Sequence, residues 1–289
     1  MKFTKMQGCG NDYVYINCFQ EKVEHPEQLA VRVSDRHFGV GSDGLILIGP
    51  SQVADVCMRM YNADGTQAQM CGNGIRCVAR YAYEHGLVDR EELTVETLAG
   101  IKHLKLWLEQ NMVTAVTVDM GQPVTEPARI PVAAEGEAVI ARPVEIAGKR
   151  YELTCVSMGN PHAVTFVDSV DGLPMETLGP EFEHHPLFPE RVNTEFVELI
   201  DRKTIRMRVW ERGSGETLAC GTGACASVYA CILNGKTEDE VKVRLLGGDL
   251  TVAYERATGH ILMTGPAVVV FDGEFNGESE KEESHVSDQ

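Results

Sequence analysis

Apolar and polar residues alternate along several short stretches of this chain, which is the pattern of half-buried β-strands. In ADVCMRMYNADG, Val56, Met58 and Met60 fall on one face, and the stretch ends in Asp-Gly, a common turn. The same pattern predicts strands in the first part of the chain at residues 3–6 and 13–18 and at LILIG, LTVETL, IKHLKLWLE and MVTAVTVDMG. In the second part it predicts strands at ELTCVSMGNPHAVTFV, TEFVELI, KTIRMRVWERG, VKVRLL, LTVAYE and PAVVVF.

Apolar residues recur at helical spacing in fewer places. Two helices are predicted to end at a glycine, with faces formed by Ile75, Val78, Ala79, Ala82 and Tyr83 before Gly86, and by Ala224, Ser227, Val228, Cys231 and Ile232 before Gly235. Shorter helices are predicted in PEQLAVRVSDRH and near residues 175–183. Many strands with few helices indicate an α+β fold.

The chain contains a two-fold internal repeat with an offset of 149 positions. The stretches QMCGNGIRC and LACGTGAC place Cys71 opposite Cys220, and GCGNDY and SMGNPH place Asn11 opposite Asn160. No gap is needed between these positions. A unit of this length is the size of a domain rather than of a solenoid repeat.

The repeat predicts two pseudo-symmetric halves, residues 1–120 and 121–265. The stretch from Gln122 to Arg142 carries three prolines and is the best candidate for a linker between them. The last predicted strand, at about residues 266–276, could return to the first half. The acidic residues 277–289 are expected to form a disordered tail, because they contain few apolar side chains.

Composition agrees with an ordinary globular protein of about two domains. Of 289 residues, 43% are hydrophobic and 24% are charged. No apolar run approaches the roughly 20 residues that cross a bilayer, and the start lacks the apolar core of a secretory signal, so a cytoplasmic location without a membrane partner is expected. The net charge of −17 argues against nucleic-acid binding.

The nine cysteines indicate reduced thiols, most of them small core residues. Cys71 and Cys220 differ, because each begins a predicted helix, where unpaired N–H groups and the helix dipole favour an anion. Thiol pKa values can fall to roughly 3.5–7.5 at such positions. The N–H groups of the adjoining CGNG and CGTG turns can hold a carboxylate.

A two-fold axis between the halves would put these two sulfurs on opposite sides of one bound molecule. Such a pair can invert a carbon centre. One thiolate removes a proton from one face, and the other thiol delivers a proton to the opposite face.

The stretches MQGCGNDYV, YNADG, MCGNGIRC, GNPH and WERGSGETLACGTGAC, in this order, resemble the diaminopimelate epimerase family over nearly the whole chain. The resemblance implies an enzyme that interconverts LL- and meso-2,6-diaminopimelate without a cofactor, in lysine and cell-wall synthesis. It implies two barrel-like α+β halves, each wrapping strands around a central helix, with the active site in the cleft between them. It also implies a cytoplasmic homodimer.

The same resemblance implies that Cys71 and Cys220 are the acid/base pair and that His162 and Glu211 tune these thiols. The side chains implied to hold the substrate are Asn11, Asn62, Asn160, Asn193, Glu211 and Arg212. Gly72 with Asn73, and Gly221 with Thr222, are implied to bind an anion; no metal is expected. Many members carry glutamine where this chain has Gly44, so a backbone or water contact would replace that side chain.

Other classes of protein also use cysteines in such positions. Proline racemase and hydroxyproline epimerase share the two-thiol chemistry, but the asparagines and Arg212 favour a longer, doubly charged substrate. A cysteine phosphatase is excluded, because Cys77 and Ala226 stand where its arginine would be. A zinc-binding structural protein is the non-enzyme alternative, although the cysteine spacing does not fit a zinc knuckle.

Overall fold

A computed structural model describes residues 1–276, so the acidic segment 277–289 lies outside the described residues. The elements in chain order are β1 (Lys2–Gly8), β2 (Asn11–Asn17), α1 (Pro26–Ser34), β3 (Gly44–Gly49), β4 (Val56–Asn62), β5 (Gln67–Ala68), α2 (Gly72–Glu84), β6 (Glu92–Thr97), β7 (Gly100–Glu109), β8 (Met112–Gly121), β9 (Arg142–Ile146), β10 (Lys149–Ser157), β11 (Pro161–Phe166), α3 (Met175–Glu183), β12 (Asn193–Asp201), β13 (Thr204–Glu211), β14 (Gly215–Thr217), α4 (Gly221–Leu233), β15 (Glu240–Leu245), β16 (Gly248–Glu255), β17 (His260–Gly265) and β18 (Val268–Glu274). A short 3-10 helix, Pro127–Arg129, lies between β8 and β9. None of the helices within residues 1–276 is long and apolar enough to cross a membrane.

The repeat in the sequence is also present in the fold. Helices α1 and α3 have equal lengths and lie 149 positions apart, and so do α2 and α4. The hairpin β1–β2 corresponds in the same way to β10–β11. The α+β class predicted from the pattern of apolar residues is therefore confirmed.

Each half wraps its strands around one helix. The strand order is β1, β2, β3, β4, β6, β7, β8 in the first half and β10, β11, β12, β13, β15, β16, β17 in the second. Helix α2 contacts β1 and β8, the two ends of its strand order, and α4 likewise contacts β10 and β17. A helix that touches both ends of a sheet must lie inside its curve. Most residues of both helices are accordingly buried.

The two halves join through an antiparallel pair between β8 and β17, in which Val118 lies opposite Met263. Strand β18 then pairs antiparallel with β1, in the position that β9 takes beside β10. One hydrophobic cluster includes residues of both central helices. The starts of α2 and α4 are therefore held at fixed positions relative to each other.

The sequence pattern did not predict four of these strands: β5, β9, β14 and β17. Strands β5 and β14 are only two and three residues long. Strand β17, HILMTG, is a short stretch between Gly259 and Pro266, and glycine and proline are typical of turns and loops. It pairs with its neighbour in sequence, β16, and with β8 of the other half.

Candidate active site

The sulfur atoms of Cys71 and Cys220 cap the N-termini of the two central helices. Each cysteine has an extended backbone, and each sulfur accepts a hydrogen bond at 3.4 Å from an N–H in the first turn, that of Gly74 or Gly223. A cap of this kind satisfies one of the free N–H groups at the helix start. The two helices give the two sulfurs the same backbone contacts, as the repeat predicts.

The two helix starts meet at a pair of glycines. A Cβ added to Gly72 would lie 3.9 Å from Gly221 Cα, and one added to Gly221 would lie 3.7 Å from Gly72 Cα. Without Cβ atoms, both backbones can come this close. Both cysteines line one open cleft of about 1140 Å³, whose walls come from both halves.

The surroundings of Cys71 contain hydrogen-bonding groups and one cation, Arg76. Its thiol donates to Asn11 Oδ1 at 3.2 Å, and Asn11 Nδ2 donates to the carboxylate of Asp43 at 2.8 Å. Burial raises the pKa of Cys71, while the N–H groups of Gly74 and Asn73, the cation of Arg76 and the hydroxyl of Tyr13 oppose the increase. Burial also raises the pKa of Tyr13 well above its usual range.

The surroundings of Cys220 are acidic. Burial raises its pKa well above the usual range, and the carboxylates of Glu211 and Glu195 raise it further, against hydrogen bonds from Thr222 and Gly223. Burial likewise raises the pKa of Glu211, against hydrogen bonds from Thr217 and Cys220 and the charge of His162. The two thiols therefore differ in electrostatics, although their backbones match.

His162 is fully buried and connects a buried carboxylate to the cleft. Its Nδ1 lies 2.7 Å from Glu195 Oε1, and its Nε2 lies 3.0 Å from Asn160 Oδ1. Asn160 lines the cleft. Glu195 thus fixes the orientation of the imidazole ring, and the ring fixes that of the Asn160 amide.

Most of the residues singled out from the sequence lie in the wall of this cleft. They are Asn11, Asn62, Cys71, Gly72, Asn73, Asn160, Glu211, Cys220, Gly221 and Thr222. Asn193 and Arg212 do not line the cleft: Asn193 accepts a hydrogen bond from the Arg212 N–H at 2.9 Å, and the guanidinium of the exposed Arg212 donates to Glu190 O at 3.0 Å. The structure does not bring Arg212 and Asn193 to the wall itself.

The first turns of both helices can bind an anion. Their N–H groups point out of the helix ends, where the dipole favours negative charge. Asn73 Nδ2 donates across the cleft floor to Ala219 O at 3.3 Å, which ties the two turns together. No group of three or more His, Cys, Asp or Glu side chains in residues 1–276 is arranged to hold a metal ion.

The structure leaves no room for a side chain at Gly44. A Cβ there would overlap Tyr61 O and would lie 2.9 Å from the ring of Tyr13. The Tyr61 carbonyl and the Tyr13 ring therefore occupy the space beside Gly44, and Tyr13 also lines the cleft.

Sequence reasoning missed Tyr13, Glu195 and Arg76 as residues of this site. Tyr13 is the repeat counterpart of His162, and that correspondence could have found it. Glu195 interrupts an apolar strand, which is a signal for a paired buried charge. Arg76 carried no signal, because it lies on a helix next to apolar positions.

The sequence profile described as diaminopimelate epimerase matches residues 3–126 and 154–270. A diaminopimelate epimerase from Agathobacter rectalis is 59% identical over 283 residues, covering 96% of this chain and 99% of the relative. Diaminopimelate epimerase from Acetivibrio thermocellus is 58% identical, with coverage of 96% and 99%.

Solved structures with the same fold are more distant in sequence. A probable proline racemase from Agrobacterium radiobacter superposes with a TM-score of 0.71 at 16% identity, covering 97% of this chain and 94% of that one. A phenazine biosynthesis protein of the PhzF family from Bacillus anthracis gives a TM-score of 0.67 at 18% identity, with coverage of 96% and 99%. At these identities the similarity shows the fold alone.

Proposed function

This chain belongs to the diaminopimelate epimerase family, and we propose that it interconverts LL- and meso-2,6-diaminopimelate with Cys71 and Cys220 as the acid/base pair. The observation that supports the proposal is that the N-termini of α2 and α4, each capped by a cysteine, lie close together in one cleft. A carbon atom held between the two sulfurs presents one face to each of them.

The proposed reaction moves two protons and needs no change in oxidation state. The thiolate takes the α-proton and becomes a thiol. The carbanion left on the substrate takes a proton from the second thiol on the opposite face, and that sulfur becomes the thiolate. Each transfer by a positioned group contributes a rate factor of roughly 10²–10⁴.

The carbanion needs a nearby positive field while it exists. The substrate α-carboxylate would accept hydrogen bonds from the first turns of α2 and α4, at Gly72, Asn73, Gly221 and Thr222. Helix N-termini aimed at developing negative charge act without reorganisation during the reaction. These turns therefore both position the substrate and stabilise the charge.

The polar side chains of the cleft would hold the rest of a long substrate. Asn62 and Asn160 line the walls, and Glu211 lies in the same wall. Arg212 would reach a second carboxylate only by leaving Glu190 O, which its exposed side chain can do. Asn193 would then act by holding the backbone N–H of Arg212.

We further propose a homodimer in the cytoplasm that works without a cofactor, as the resemblance implies. The division into residues 1–120 and 121–265 is likewise a proposal.

The function is tested by adding LL-diaminopimelate to protein that has been dialysed against a chelator, with no cofactor present. Chiral chromatography should show the meso isomer forming until the two isomers reach equilibrium. The Cys71→Ala variant is the matched control. Formation of meso product at the same rate in that variant would contradict the thiol mechanism.

The alternative substrates are tested in the same assay. L-Proline and trans-4-hydroxy-L-proline should not be epimerised. Metal analysis of the undialysed protein tests the alternative of a zinc-binding structural protein. Stoichiometric zinc would support that alternative.

A further inference from the structure

Arg76 is a buried cation without a carboxylate partner. Its side chain is 0% exposed. Its guanidinium donates to four neutral acceptors, Gly72 O at 3.1 Å, Asn73 Oδ1 at 3.0 Å, Pro266 O at 3.0 Å and Cys9 Sγ at 3.9 Å. No carboxylate in residues 1–276 forms an ion pair with it. Buried charges are normally paired, because removing an ion from water is costly.

The protein makes room for this guanidinium with two glycines. A Cβ added to Gly8 would lie 2.8 Å from Arg76 Nη2, and one added to Gly265 would lie 3.1 Å from Arg76 Cζ. Arg76 lies one turn after Gly72, so its positive charge adds to the field at the start of α2.

The second half has no such cation at the equivalent place. The repeat counterpart of Arg76 is Cys225, which is fully buried and neutral. The second half instead carries acidic groups. A Cβ on Gly74 would meet Ile46 Cδ1 at 2.6 Å, whereas one on the counterpart Gly223 would meet Glu195 Oε1 at 2.7 Å. An isoleucine in one half is thus replaced by a carboxylate in the other.

We propose that Arg76 is a positioning residue whose unpaired charge favours loss of the proton from Cys71, so that Cys71 rather than Cys220 is the first of the two thiols to become the thiolate. This inference rests on the proposed function, because it assigns the starting roles of the two proposed acid/base groups. The positive charge of Arg76 acts on Cys71 from the next turn of the same helix and opposes the effect of burial on its pKa, while the sulfur that contacts the guanidinium directly is that of Cys9. At Cys220, a thiolate would face the carboxylates of Glu211 and Glu195 and is disfavoured.

The titratable groups around the two sulfurs agree with this assignment. At Cys71 they are Arg76 and Tyr13, which both oppose the rise in pKa caused by burial, and Asp43, whose carboxylate accepts a hydrogen bond from the Asn11 amide. At Cys220 the carboxylates of Glu211 and Glu195 add to the rise caused by burial, and His162 lies beside both of these acids. The cation beside Cys71 therefore favours its ionisation, whereas the carboxylates beside Cys220 oppose ionisation there.

The assignment also gives the order of proton transfers. The form with a Cys71 thiolate accepts the isomer whose α-hydrogen faces Cys71, which becomes protonated while Cys220 gives up its proton. The enzyme then holds a Cys220 thiolate beside two carboxylates. This form returns to the first one by exchanging protons with water or by catalysing the reverse reaction.

The test follows the alkylation of both thiols by iodoacetamide as a function of pH in the full chain. Peptide mass spectrometry reports Cys71 and Cys220 in the same sample. Cys71 should react at a lower pH than Cys220 in the unmodified protein. Arg76→Met should raise the midpoint of Cys71 by about one pH unit or more and leave that of Cys220 in place, since removal of a nearby opposite charge has this effect. Arg76→Lys should restore most of the difference.

Two further variants keep the test decisive. Cys9→Ser is the matched control, because Cys9 is the other thiol beside the guanidinium, and it should leave the Cys71 midpoint unchanged. Glu211→Gln should lower the midpoint of Cys220 alone, which tests the assignment even where an Arg76 variant does not fold.

A Cys220 midpoint equal to or below that of Cys71 would overturn the assignment. So would a folded Arg76→Met variant with an unchanged Cys71 midpoint, even if its activity were lost. A native enzyme that labels in the expected order but has no epimerase activity would instead contradict the proposed function.

Discussion

At the scale of single residues, the two cleft cysteines differ from the other seven in what surrounds the sulfur. Cys77, Cys225 and Cys231 lie in the apolar core cluster and do not line the cleft. Cys71 and Cys220 touch the same cluster, but they also line the cleft, and their sulfurs accept hydrogen bonds from backbone N–H groups. Chemistry is therefore expected at these two positions and packing at the others.

Replacing either cleft thiol removes one of the two proton-transfer groups. Cys71→Ala and Cys220→Ala should each lower kcat/KM for epimerisation by at least about 10²-fold, the lower end of the contribution of a general acid or base. Cys77→Ala and Cys225→Ala lie on the same two helices and are the matched controls, which should retain most activity. Folding is checked by circular dichroism. Equal losses of activity in folded variants of both pairs would contradict the assignment of Cys71 and Cys220 as the catalytic thiols.

The buried thiols also predict how stability depends on pH. Burial raises the pKa of Cys155 to about 12, from an ordinary value of about 8.5. A raised pKa in the folded state means that the stabilisation is complete below the unfolded pKa and is lost as pH rises towards the folded value. Above about pH 9, this thiol should lower the free energy of unfolding by about 1.4 kcal/mol per pH unit.

The measurement is urea unfolding under reducing conditions at several alkaline pH values. The free energy of unfolding of Cys155→Ala should fall less steeply with rising pH than that of the native chain. The difference in slope should be about 1.4 kcal/mol per pH unit, the contribution of one thiol. An unchanged slope would show that Cys155 ionises in the folded protein.

The sequence could predict some residues of the site but not others. It predicted Cys71, Cys220, Asn11 and Asn160, because each of them has an identical counterpart in the other repeat. Glu195 acts through His162, which lies 33 positions away in sequence. Such a contact depends on the parallel pairing of β11 with β12, and this pairing is not visible in either segment alone.

At the scale of elements, the starts of α2 and α4 determine the site. Both helices begin at glycines that follow a capping cysteine, and both lie inside their sheets. The sequence predicted these helices well, because their apolar faces and terminal glycines are local signals. It did not predict β17, whose six residues lie between glycine and proline and which pairs with the adjacent β16 and with β8 of the other half.

The close packing at the start of α2 can be tested with Gly74→Ala. A Cβ there would lie 2.6 Å from Ile46 Cδ1, and overpacking of this kind costs about 1–3 kcal/mol. Ile46→Val removes that methyl group and alone should cost about 0.5–1.5 kcal/mol. In urea unfolding, the double variant should be less destabilised than the sum of the two single variants. Simple additivity would mean that the two groups do not meet.

At the scale of the whole molecule, the two halves supply opposite faces of one cleft. The β8–β17 pair and the shared hydrophobic cluster hold these halves together. The repeat predicted this arrangement from the sequence. It could not predict the electrostatic difference between the halves, because Arg76 and Glu195 occupy positions where the repeat is broken.

The most direct test of the two-thiol mechanism is the origin of the proton in the first product. In heavy water, unlabelled LL-diaminopimelate should lose its α-hydrogen to one sulfur and receive deuterium from the other, which has already exchanged with solvent. Mass spectrometry of the first few per cent of turnover should therefore find deuterium at the inverted carbon of the meso product, while the remaining LL substrate stays largely unlabelled. An early meso product that retains the original hydrogen would contradict a mechanism that uses Cys71 and Cys220 on opposite faces.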